Sequence, residues 1–130
     1  MSNTPVPINA EDTDNLEDVE KAFSIKALTK YDDEIFEQLI NDFPEFAIPA
    51  NVAKINEDDM KSGLGKERWR AFMKKFETLI DDYNFGTLLR DDSATEYTEH
   101  GTIFAVRMQF YAIEIARNKY GLNDWVCKKK

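Results

Sequence analysis

One cysteine, one histidine, five glycines and four prolines are all that this chain of 130 residues holds of those four types. With Cys127 alone no disulfide framework can form, and a reducing compartment is the default. His100 is too solitary for a zinc site, because even joined to Cys127 it would need further ligands. Cys127 stands beside three lysines that favour a thiolate, yet no motif places a base near it. No run of about 18 apolar residues occurs, so no helix is expected to span a bilayer. The opening MSNTPVPINAEDTDNLEDVE has neither the basic start nor the apolar stretch of a leader. Asn-x-Ser/Thr acceptors are absent as well. The expected location is cytoplasmic, with the nucleus open as a second.

Phosphate-binding and cation-binding motifs fail on inspection. GLGK at residues 63–66 resembles the end of a phosphate loop, but Met60 stands where the first glycine belongs and Glu67 where a Ser or Thr holds magnesium. There is no G-x-G-x-x-G. The acidic clusters at 32–34, 57–59, 81–82 and 91–92 lack the alternating spacing and central glycine of a calcium loop. The reading is therefore no catalytic residue, no metal, no cofactor and no enzyme.

What is present is enough apolar content, 42%, for one core. Residues 1–12 read as a disordered arm, 13–121 as one globular domain and 122–130 as a flexible basic tail. A helix is expected from Asp14, capped reciprocally with Glu17, to about Leu28, with Leu16, Val19 and Phe23 on one face. A second begins at Asp32 or Asp33, buries Ile35, Phe36, Leu39, Ile40 and Phe43, and stops at Pro44. Residues 44–56 read as a connecting segment. From Lys66 to Tyr83, Trp69, Phe72, Met73, Phe76, Leu79, Ile80 and Tyr83 fall on one helical band. FGTLLRDD and YTEHGTIF, parted by a turn, read as a β-hairpin. A last helix from about Ala105 to Tyr120 is apolar over most of its circumference, with Val106, Met108, Phe110, Ala112, Ile113, Ile115 and Ala116. Arg107, Glu114 and Asn118 line its remaining strip, and Gly121 can end it. The fold class is α+β: a mainly helical single domain of about four helices, with one hairpin before the last.

Charge is divided unevenly. Residues 1–60 carry a net −11 and residues 61–130 a net +3, for −8 in all. So acidic a chain is a poor non-specific binder of nucleic acid, and no DNA partner is expected, although a local basic face can still make such a contact. Within it, Lys66, Arg68, Arg70, Lys74 and Lys75 gather on one helix against Glu67, and the acids Glu77, Asp81 and Asp82 follow. The helix dipole favours the opposite order. Either acidic segments of the same chain neutralise these five bases or an external anion does, and they are the candidate partner-binding residues.

At LTKYDDEIF (28–36), KERWRAF (66–72), NFGTLLR (84–90) and TIFAVRMQFYAIEIARN (102–118) the sequence resembles the small eukaryotic polysaccharide-biosynthesis-domain-containing proteins, over about Leu28 to Gly121. Val106 departs from relatives that carry proline there. The resemblance implies a ribosome-associated chaperone of translation elongation factor 1-alpha, and the chain is read as a monomeric, ATP-independent folding factor. It implies as partners the factor's nascent GTP-binding domain, the ribosome and the nascent-polypeptide-associated complex. The alternatives are a sugar or small-molecule transferase, as the family name suggests, and a plain protein scaffold.

Overall fold

The computed structural model describes residues 27–127. The arm at 1–12, the first expected helix up to residue 26 and the last three lysines lie outside that range. Helix α1 (Asp32–Asp42) is tied to the entering chain by Asp32, whose carboxylate accepts from the backbone N–H groups of Leu28 and Thr29 at 2.7 Å each. Ile35 and Leu39 are fully buried, and Phe43 closes the stripe.

Pro44 stops α1 because it lacks the donor that the helix needs, and then serves as the first residue of a 3-10 turn over Pro44–Ala47. Pro49 does the same for α2 (Pro49–Ala53). The segment read as a connection thus holds two short helical pieces, each begun by proline. Helix α3 (Glu57–Lys61) is capped by Asn56, whose side chain accepts from Asp59 N at 3.0 Å. Ser62 likewise accepts from Gly65 N at 3.0 Å and opens α4 (Gly63–Lys74).

Helix α4 stops at Lys74, not at Tyr83 as its apolar spacing suggested. Residues 75–84 continue as turns, with bonds such as Leu79 N to Phe76 O and Tyr83 N to Ile80 O. Phe76 and Ile80 still face inward, while Leu79 turns outward. The carbonyls of Tyr83 and Phe85 are needed elsewhere: they accept from Met108 N (2.8 Å) and Arg107 N (2.7 Å), donors that a helix start leaves without partners.

Strands β1 (Gly86–Arg90) and β2 (Thr102–Val106) form the expected antiparallel hairpin, with Leu88 opposite Phe104 and Leu89 opposite Ile103. Strand β2 runs straight into α5 (Arg107–Lys119), so the last long helix starts at Arg107 rather than Ala105. Helix α5 is the central element: Met108, Ala112, Ile113, Ile115 and Ala116 are buried, and it packs on α1, α2, α4 and the hairpin. Phe110, counted in its apolar arc, is only partly buried. From Phe43 at the C-terminal end of α1, the rings of Phe43, Trp69, Phe72 and Phe76 form a ladder with centroids 4.5 to 5.6 Å apart between neighbours.

The chain beyond Gly121 was expected to be free from residue 122. Leu122 instead packs on the core, Asn123 is buried, and Trp125 Nε1 donates to Ser93 O at 2.7 Å from the short helix α6 (Asp124–Cys127). The architecture is α+β in a single domain.

Candidate partner-binding surfaces

The four bases of α4 and Lys75, which caps its C-terminus, divide into two groups. Arg68 makes a two-pronged pair with Glu45, at 2.8 and 3.0 Å, and also donates to Asp42 O. Its guanidinium lies 4.4 Å from the centre of the Phe43 ring. Lys75 donates to both oxygens of Asp42, at 2.9 and 3.1 Å. Partial burial opposes ionisation of Asp42, yet the bonds from Lys75 and Gln38 outweigh it and hold this carboxyl below its ordinary range. The Arg68 bond does the same for Glu45, again against some burial. On this flank the acid-rich N-terminal half neutralises the helix from within.

Lys66, Arg70 and Lys74 lie on the opposite flank, and all three are exposed. The buried line of α4 runs through Gly65, Trp69 and Phe72, and a step of 100° per residue carries 66, 70 and 74 away from it, one turn apart. None of them pairs with a carboxylate among the described residues, and Glu67 is the acid that shares their exposed side.

A second surface is apolar. Leu88 is 50% and Phe104 65% exposed, as a cross-strand pair on the outer face of the hairpin. Phe104 lies over Gly86, where an added Cβ would come within 2.8 Å of its ring. Phe85 and Tyr97 are exposed as well. Leu88, Tyr97, Thr87, Phe110 and Arg107 line one shallow open groove. Arg107 is committed there, since it donates to Asp82 at 2.8 Å while Tyr111 donates to the same oxygen. Asp91 N to Gly101 O and Arg107 N to Phe85 O place the inter-strand bonds at odd-numbered residues of β1. Phe104 therefore turns its N–H and C=O to the outer edge of β2. The edge sequence TIFAV has none of the lysines or prolines that usually guard a free edge.

This surface was missed in the sequence, although a signal existed. Leu88-Leu89 and Ile103-Phe104-Ala105-Val106 do not alternate apolar with polar, as a strand with one wet face should.

Inside the protein sits a cluster of charge. Glu114, read as part of the polar strip, is buried between Arg90 and Arg117. It accepts from Arg117 Nη1 at 3.0 Å, Asn123 Nδ2 at 2.8 Å and Arg90 Nη2 at 3.3 Å. Arg90 also reaches Ser93 O, Thr95 O and Asn123 Oδ1, leaving its Nε without a partner. Arg117, wholly enclosed, donates to Val52 O at 3.0 Å. Burial pulls its pKa below the usual arginine value, against the pull of Glu114. These bonds fasten the hairpin loop, α2 and the C-terminal residues to α5.

His100 is exposed in the hairpin loop, and no group of three or more metal-ligating side chains occurs among the described residues. No helix among them is long and apolar enough to cross a membrane.

The pattern describing the PBDC1 protein family matches residues 13–128. The chain belongs to this family. It is 50% identical to the PBDC1 homolog of Schizosaccharomyces pombe, over 93% of this chain and 96% of that protein. Identity to the Saccharomyces cerevisiae homolog is 48%, over 94% and 97%. The mouse PBDC1 protein matches at 48% over 76% of this chain, which is 48% of the mouse protein's length. A solution NMR structure of a Saccharomyces cerevisiae protein superposes with a TM-score of 0.76 at 48% identity, covering 95% of this chain and 98% of that one. The family resemblance read from KERWRAF, NFGTLLR and TIFAVRMQFYAIEIARN is thereby established.

Proposed function

We propose that this protein is a non-enzymatic, ATP-independent chaperone of newly made translation elongation factor 1-alpha. In this reading it works in the cytoplasm at the ribosome, engages the factor's nascent GTP-binding domain, and is recruited with the nascent-polypeptide-associated complex. The client's name comes from the family resemblance. The observation that supports a client-holding role is the outer face of the hairpin, where Leu88 and Phe104 stand in water above an unguarded strand edge. Such an edge offers main-chain bonds to an extended segment, and the two side chains offer apolar area. Covering what is now exposed of each contributes about 1–2 kcal/mol, or roughly 5- to 30-fold in affinity per side chain.

The test is crosslinking to ribosome-bound chains of the elongation factor, with Leu88→Ser/Phe104→Ser against wild type. Capture should fall at least tenfold while the urea midpoint stays put. Undiminished capture by the folded double variant would sink the proposal. His100→Ala and Cys127→Ser should leave function intact. Saturable micromolar binding of S-adenosylmethionine or a sugar nucleotide in calorimetry would instead favour the transferase.

A further inference from the structure

We propose that Lys66, Arg70 and Lys74 form a contact for the phosphate backbone of structured RNA. The inference is independent of the client reading. It rests on how the structure divides the bases of α4. Among the described residues, the acids bonded to this stretch of chain are Asp42 and Glu45, which pair with Lys75 and Arg68 on the other flank. In α3, Glu57 is bonded to Lys61, and the exposed Asp58 and Asp59 pair with none of the three bases. What remains is a straight row of three exposed cations one turn apart, about 6 Å from each to the next. The row starts in the first turn of α4, where the positive end of the helix dipole adds to Lys66.

The partner is set by what the row has and lacks. Three equal charges at a regular interval of about 6 Å suit a polymer whose own charges repeat at a few ångströms. The planar guanidinium of Arg70 suits a phosphate. No aromatic ring stands on the exposed side of α4, where Gly63, Leu64, Glu67 and Ala71 are the other residues. Stacking on unpaired bases has nothing to rest on, so the contact reads backbone and not sequence. A chain with a net −8 approaches RNA only along such a local strip, which makes the contact weak and steeply dependent on salt.

The experiment is fluorescence anisotropy of the full chain with a labelled RNA duplex of about 20 base pairs, at roughly 50 and 200 mM salt. Three phosphate contacts give a slope near −2.7 in log affinity against log salt, so affinity should fall about 40-fold over that range. Arg70→Glu/Lys74→Glu should remove most binding at low salt, with the urea midpoint unchanged. The milder Arg70→Gln/Lys74→Gln, which serves if the reversal unfolds the chain, should leave one contact and about a threefold salt effect. Lys30→Glu/Lys128→Glu changes net charge equally at positions outside the row and should bind more than the strip variant does. Leu88→Ser/Phe104→Ser should bind RNA as wild type, which separates this contact from the client surface. The proposal is overturned by any of three results: no binding at low salt, equal loss in the charge-matched control, or displacement of RNA by poly-glutamate as readily as by unlabelled RNA. The last would mark the strip as a site for acidic protein.

Discussion

Removing the Glu114 carboxylate should unfold much of what the hairpin loop and the C-terminal residues share. Glu114 is 5% exposed and is the acid facing two guanidiniums that are 6% and 0% exposed. Glu114→Ala removes the carboxylate that is hydrogen-bonded to both buried guanidiniums, leaving Arg90 and Arg117 bonded to backbone carbonyls and, for Arg90, to Asn123. Breaking a buried pair from one side costs about 3–5 kcal/mol. The whole stability of a domain this size is about 5–15 kcal/mol, so the loss is a large share of it. At about 4–8 °C per kcal/mol, the melting temperature should drop by ~15 °C or more. Urea unfolding followed by tryptophan fluorescence reads the change, since Trp69 is buried and Trp125 bonds to Ser93 within the same assembly. The control is a core without charge, Arg90→Met/Glu114→Leu/Arg117→Met, which should recover most of the loss because a buried ion cluster gains little over apolar groups of similar volume. A loss under about 1 kcal/mol in Glu114→Ala would refute the account. So would a triple variant as unstable as the single one, which would put the cost in packing and not in charge.

Two further outcomes follow from the geometry. Gly65→Ala should destabilise strongly, because its Cβ would fall 2.0 Å from Asp59 O and 2.8 Å from Met60 O; both are backbone and cannot turn aside, and thermal melting reads the loss. Asp42 and Glu45 are held below their ordinary pKa, so their contribution is full above the usual carboxylate range, near pH 4, and is lost as pH falls through their lower folded values. Both pairs are part-exposed, so each contributes only a few tenths to about 1 kcal/mol, and Asp42→Asn/Glu45→Gln should flatten that part of a urea-midpoint profile between about pH 5 and 2.

Helix α1, the hairpin and α5 were legible in the sequence because their buried side chains repeat at the period of the element. The end of α4 was not. Phe76 and Ile80 keep facing the core through tight turns, so the side-chain rhythm outlasts the helix. The five bases of α4 and its C-terminal cap were legible as charge but not as partners, since Arg68 meets Glu45 across 23 residues and Lys75 meets Asp42 across 33. Glu114 looked like a solvated position for a related reason: Arg117 stands three residues on, but Arg90, which helps enclose it, lies 24 residues away. Long-range pairing leaves no local trace. The apolar hairpin face did leave one, in two strands that are apolar on both sides.

The joining of β2 to α5 without a loop also sets an order in time. Contacts that fix the N-terminal half come from the far end of the chain: Arg117 to Val52 across 65 residues, Tyr120 to Phe46 across 74, and Lys119 to Asp33 across 86. During synthesis at ~5–20 residues per second, the stretch from α4 to α5 takes several seconds to appear. Until then Ile35, Leu39 and Val52 have no α5 for their helices to pack on. A chain arrested before Arg107 would be an unfinished surface, itself open to the capture that other young proteins require.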